Sequence, residues 1–178
     1  MDPSKYSVTE RLADGSTLRI RAIHPDDRQR FTKAFEQFAQ SPDSVHFRFH
    51  GFKRSLSPGE AIGMTDVDFV DHVALAATSG ADSESPLIGV GRYIVCSAPR
   101  RHRAEVAFAV LDEHRGKGIG SLLLRHLAAI GRAQGLREFQ AEVLMDNRQM
   151  IGVLEGSGFP LQRSTEFGVV RVLLTIAS

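Results

Sequence analysis

The sequence predicts an α/β domain of the α+β kind, a mixed sheet of six or seven strands with about four helices packed on it. Three observations predict it. Apolar and polar residues alternate in several short runs, as half-buried strands require. In other runs apolar residues recur at helical spacing. Turn and capping residues separate these runs in the order β-α-α-β-β-β-α-β-α-β, with one further short strand possible near 160–165, which suits helices laid on a sheet. The 178 residues fit one domain spanning 1–178, and 42% hydrophobic with 24% charged residues excludes wholesale disorder.

"TLRIRAI" at 17–23 alternates as a strand, and Pro25 with Asp26 and Asp27 then opens a helix on which Phe31, Ala34, Phe35 and Phe38 form the inward stripe. "SPDSVHFRFHGFKRS" is irregular. In it His46, Phe47, Arg48, Phe49 and His50 alternate, reading either as packing of the aromatics or as a wall of an acceptor site. Ser57 caps a short helix that begins at Pro58. Residues 71–78 and "PLIGVGRYIVCSA" read as hairpin partners around a polar turn. "RRHR" at 100–103, read as a solvated turn or a greeting for an acidic substrate, leads into the strand "AEVAFAVL". Ile119, Leu122, Leu123, Leu127 and Ile130 make a helical stripe that stops at Gly135, a left-handed C-cap. "REFQAEVLM" is a strand, "NRQMIGVLEGSG" a helix and "VVRVLLTIA" a terminal strand.

Composition narrows the function. A net charge of +1 provides no global field toward nucleic acid or an anionic membrane. Cys96 is the only cysteine, so no internal disulfide or thiolate metal cluster is expected, and the seven histidines never pair at ligand spacing. "MDPSKYSVTE" lacks a signal-peptide pattern, and no apolar stretch approaches the roughly 20 residues that span a bilayer. A cytoplasmic protein without a metal is the expectation.

"DEHRGKGIGSLLLRHL" at 112–127 places Gly116, Gly118 and Gly120 on alternate positions at the mouth of a helix. Unpaired amides at the positive end of a helix dipole make an anion site, and glycines let a phosphate approach the main chain. Arg115 and Lys117 add charge. A plain strand-to-helix turn, with the glycines serving geometry alone, is the other reading. The P-loop register fails because Lys117 precedes Gly118, and the dinucleotide register fails because Ser121 and Leu123 stand where glycine is required.

Arg115-Gly116-Lys117-Gly118-Ile119-Gly120 matches [RQ]-x-x-G-x-[GA], the signature of the GNAT superfamily of acyl-CoA-dependent N-acyltransferases, which the sequence therefore resembles. "AEVAFAVL" before the loop, "EVLMDN" after it and "LEGSGF" at 154–159 fall where that family has corresponding elements. "LRIRAIHPDD", "SVHFRFHG" and "LSPGEAIGMTDVDFVDHVALAA" extend the resemblance over about 16–175 to the acyltransferase domain of bacterial protein lysine acetyltransferases. Such domains are often fused to a synthetase-like or regulatory domain, and neither is read here.

The resemblance implies a GNAT fold with a mostly antiparallel sheet. It implies that the amides of Gly116, Lys117, Gly118, Ile119, Gly120 and Ser121 hold the pyrophosphate of acetyl-CoA, and that main-chain groups of Phe108, Ala109 and Val110 pair with the pantetheine arm. One amide of that strand would polarise the thioester carbonyl. Asn147 matches an asparagine that contacts the cofactor, and reads equally as an N-cap. A lysine ammonium has no lone pair, so a base must take a proton. Glu105 holds the base position of the lysine acetyltransferase group, through a water, and Glu142 holds the position used by some other members. Leu154 stands where many relatives have a proton-donating tyrosine; Tyr93 is a distant substitute, with packing as its plainer role.

The expected activity is acetyl transfer from acetyl-CoA to a primary amine, a protein lysine foremost, by direct attack in a ternary complex. Acetylation of a small amine and a non-catalytic acyl-CoA sensor are the alternatives. The chain is expected to be a monomer, or a homodimer through its terminal strand.

Overall fold

The computed structural model describes residues 1–40, 55–80, 82 and 84–177. The segment with His46, Phe47, Arg48, Phe49 and His50 lies outside the described residues. Eight strands form one sheet in the order β1-β2-β3-β4-β5-β6-β8-β7. They are β1 (Ser7–Arg11), β2 (Thr17–Ala22), β3 (His72–Thr78), β4 (Leu87–Val95), β5 (Arg103–Val110), β6 (Glu138–Leu144), β7 (Leu161–Glu166) and β8 (Val169–Thr175). Every neighbouring pair is antiparallel except β5 with β6. The described helices are α1 (Arg28–Gln40), α2 (Pro58–Thr65), α3 (Ile119–Ala133) and α4 (Arg148–Glu155). None of them is long and apolar enough to cross a membrane. The mixed, mostly antiparallel sheet with four described helices is the architecture expected, one strand wider than the sequence suggests. The extra strand is β1, a half-exposed edge with no apolar alternation to betray it; its Ser7–Arg11 pair with Arg21–Thr17 of β2.

Helices cover the sheet unequally. The third helix lies over β4, and β4 is shaped to receive it. A Cβ on Gly91 would stand 3.1 Å from Leu127 Cδ1 and 3.2 Å from Leu123 Cβ, so a larger residue would push the helix away. Leu123, Leu124, Leu127 and Ile130 are fully buried in consequence, each contributing about 1.5–3 kcal/mol relative to exposure. Gln134 ends the helix and Gly135 follows at φ +86°, where the C-cap was expected.

On the opposite face α1 and α2 pack over β2–β5. Phe31, Ala34, Phe35 and Phe38 are buried there, and Ser57 with Glu60 forms a reciprocal capping box at the start of α2. Asp27, fully buried, ties α1 to β2. It accepts two hydrogen bonds from Arg21 at 2.7 Å each and one from the His24 amide at 2.8 Å, with Arg30 at 2.8 Å. Burial by itself would raise its carboxyl, but these donors hold it below the usual carboxylate range. In the 100–103 turn Arg101 pairs with Asp71 at 2.6 Å and Arg103 with Glu138 at 2.8 Å, so "RRHR" is a turn fastened to the body.

Candidate active site

Strand β5 has two unlike edges. Toward β4 it pairs over its whole length, from Ala104 opposite Val95 to Val110 opposite Gly89. Toward β6 it pairs only where Arg103–Glu105 meet Glu138–Gln140, after which the two strands part. Antiparallel strands turn alternate residues' main-chain groups toward a given neighbour. The Leu111 amide donates to the Ile88 carbonyl, so the odd-numbered residues face β4. Val106, Phe108 and Val110 consequently present N–H and C=O groups along the open edge. The sequence reading assigned main-chain pairing to Phe108, Ala109 and Val110. Of these, Phe108 and Val110 lie with Val106 on the open edge, and Ala109 turns its main-chain groups toward β4.

A cleft of about 470 Å³ fills the gap between the parted strands. At one end is the glycine loop. Gly116 and Gly118 have φ of +73° and +83°, left-handed values that a side chain would resist, and a Cβ on either would project into open space. Gly118 is the N-cap of α3, and the first turn's bond runs from the Leu122 amide to its carbonyl. Among the described residues no hydrogen bond engages the amides of residues 116–121. Six consecutive free donors at a helix N-terminus are a cradle for an anion of pyrophosphate size. Arg115 lines the cleft nearby, held by Asp112 at 2.6 Å. Lys117 does not line it; its charge falls on Asp14 of the β1–β2 turn.

Glu105 and Glu142 both line the cleft, on the sheet face opposite α3, one on each side of the point where the strands separate. Their surroundings differ. Glu142 accepts from Arg171 at 3.0 Å, and Arg171 also reaches Glu166 at 3.1 Å. Glu105 is exposed and has no hydrogen bond or ion pair among the described residues. Across β4, Arg92 shares its face; that guanidinium donates to Met64 Sδ and is held below its ordinary value by burial, with the charge of Glu105 opposing. Asn147 lines the cleft and also caps α4, accepting from the Met150 amide at 3.0 Å.

Leu154 is fully buried and does not reach the cleft. Tyr93 is fully buried too, donating to Gln134 and packing against Phe139 at 5.5 Å between ring centroids, with burial pushing its phenol well above the usual range. Packing is its role. The cleft also draws on residues the sequence did not single out for it: His114, Gln149, Met150 and Val153, with Phe35 and Phe38 as its wall on the α1 side. Helical spacing could have found Gln149 and Val153, four apart on a helix already recognised. No local signal marks Phe35 and Phe38 as anything but core. Among the described residues no group of three histidine, cysteine, aspartate or glutamate side chains could hold a metal.

Comparison with known proteins agrees with this geometry. Residues 19–159 match the acetyltransferase (GNAT) family model. An acetyltransferase of Pseudomonas aeruginosa is 30% identical over 157 residues, covering 88% of this chain and 82% of that protein. Acetyltransferase Pat of Mycolicibacterium smegmatis is 31% identical over 92% of this chain, which spans 47% of that longer protein. Among solved structures, the GNAT domain of S. lividans PAT superposes with a TM-score of 0.85 at 38% identity, covering 95% of this chain and 96% of that one.

Proposed function

The chain belongs to the acetyltransferase (GNAT) family, and from that premise we propose that it transfers an acetyl group from acetyl-CoA to the ε-amine of a protein lysine, with Glu105 as general base. The observation that carries the reading is the split seam. One cleft holds free strand amides, six free loop amides at a helix N-terminus, and a carboxylate with no protein partner. Bound in this cleft, acetyl-CoA supplies an activated acyl group and a thiol leaving group.

Each protein group then has a definite task. The amides of residues 116–121 and Arg115 offset pyrophosphate charge, while the open edge of β5 offers Val106, Phe108 and Val110 to the amides and carbonyls of the pantetheine arm. Glu105 takes the proton that frees the amine lone pair, through a water within hydrogen-bond reach. Glu142 is the weaker base candidate because its carboxylate is committed to Arg171. A CoA thiol is a fair leaving group near neutral pH, so the buried Leu154 is compatible with turnover. The choice of lysine rests on the resemblance to bacterial protein lysine acetyltransferases.

The test is to incubate the protein with acetyl-CoA and either lysate proteins or a panel of small amines, following free thiol and acetyl-lysine by mass spectrometry. Thiol release with new acetyl-lysine supports the proposal. Release only with small amines shifts the substrate class, and tight acetyl-CoA binding without release points to a sensor.

A further inference from the structure

The hairpin between β7 and β8 carries a residue its own turn does not want. Its two-residue loop is Phe167-Gly168, with φ of +49° and +77°, the type I′ pattern that favours Asn-Gly. A bulky residue at positive φ is strained, since its Cβ crowds the preceding carbonyl. Burial could offset that, but Phe167 is 96% exposed. Solitary surface hydrophobics need no explanation. One held in the left-handed region with no contact to reward it does.

The surroundings point to a use. The Met145 amide donates to the Gly168 carbonyl at 2.9 Å, and Met145 is itself 52% exposed, so an apolar pair stands at the tip. Two residues beyond Met145 is Asn147, which lines the cleft. Behind the tip, Glu166 shares Arg171 with Glu142, another cleft residue. Glu142 and Glu166 share the single cation Arg171, and Asp146 and Arg148 follow Met145 in the chain, so three carboxylates stand against two guanidinium groups, a small acidic excess that suits a lysine-bearing chain. A small amine seated between β5 and β6 would not extend to this rim, whereas a polypeptide presenting a lysine would lie across it.

We infer that Phe167, with Met145, is the apolar anchor by which a polypeptide acceptor docks at the rim of the cleft, making the hairpin tip a specificity element for protein over small-molecule amines. This rests on the lysine acetyltransferase reading above. It explains why phenylalanine occupies a turn position where asparagine would fit better.

The experiment compares wild type, Phe167→Asn and Phe167→Tyr on two probes: the lysate protein that the wild-type enzyme acetylates fastest, and n-butylamine. Phe167→Asn relieves the turn, so its Tm should rise by about 3 °C. Its KM for the protein should nonetheless rise roughly tenfold, the loss typical of an exposed aromatic anchor. Its kcat and its kinetics with n-butylamine should stay as in wild type, and Phe167→Tyr should keep the wild-type KM. Equal protein KM values for the wild type and Phe167→Asn overturn the inference alone, and so does a fall in Tm, which would mean the ring serves the fold. A wild-type dimer that Phe167→Asn dissociates also overturns it, because the tip would then belong to a second copy. A wild-type enzyme that acetylates no protein overturns the lysine reading and this inference together.

Discussion

The two edges of β5 are the instructive contrast in this molecule. Seven residue pairs zip it to β4, and three join it to β6. The same backbone chemistry is therefore consumed on one side and left open on the other. Along the zipped edge each N–H and C=O is consumed by the ladder, and the glycines of β4 let α3 press down on it. Along the open edge the same groups are left unpaired by β6, although the Val110 carbonyl accepts from Arg115 Nε at 3.4 Å. Because the strands part just after Glu105, the free edge and a free carboxylate lie in one cleft.

The sharpest way to test the contrast is at the carboxylates flanking the split. Glu105→Gln should lower kcat by about 10²- to 10⁴-fold with acetyl-CoA affinity nearly intact, the contribution expected of a general base. Glu142→Gln should change kcat by no more than about threefold, because its partner Arg171 is an exposed surface cation. Steady-state kinetics and calorimetric titration with acetyl-CoA separate the two; a wild-type rate in Glu105→Gln would remove the assignment.

A second test loads the closed half of the sheet. Asp27→Asn leaves Arg21 and Arg30 with an uncompensated site and should cost roughly 3–5 kcal/mol in urea unfolding. Since folding depresses the Asp27 carboxyl, its contribution is present above the unfolded value of about 3.9 and is lost as pH falls below it. Wild type should accordingly lose stability in that acid range, and Asp27→Asn should lose less there.

The seam itself can be probed with proline. Ala109→Pro deletes a donor that faces β4 and should destabilise by about 1–3 kcal/mol. Val110→Pro deletes a donor on the open edge, so its stability loss should be smaller while its KM for acetyl-CoA rises. Equal stability losses would show that the pleat is assigned wrongly.

The smallest effect concerns the far side of α3. There the Tyr6 hydroxyl contacts His126 Nδ1 at 2.5 Å, and His126 Nε2 donates to Glu10 at 2.9 Å, fastening the edge strand β1 to the helix. Burial holds the imidazole below its usual range. Its contribution is therefore present above the unfolded value of about 6.5 and lost as pH falls through the folded one. Between pH 7.5 and 5.5 the wild-type Tm should drop, and His126→Gln should flatten that drop by roughly 2 °C.

Much of this was legible in the sequence, and the reasons are local. Gly118 had to be glycine because its φ is positive, and the loop pattern therefore announced itself. The stripe from Ile119 to Ile130 had one possible face. The Ser57 cap, the Gly135 cap and most strands follow from neighbouring residues alone. β1 escaped because an exposed edge strand needs no apolar period. Phe35 and Phe38 read as core and are core, yet they also wall the cleft, which nothing within α1 could disclose.

By itself the sequence determined the order of the elements apart from the edge strand β1, the family, and the glycine loop at the mouth of α3, since each depends on residues within a few positions of one another. Tertiary structure decided three further matters. The length of the β5–β6 pairing selected which amides are free. The Arg171 bridge occupied Glu142 and left Glu105 without a partner. The β7–β8 hairpin brought the Gly168 carbonyl to the Met145 amide, two residues from the cleft-lining Asn147. All three depend on strands that are distant in sequence and adjacent in space, and long-range register is information no short window contains.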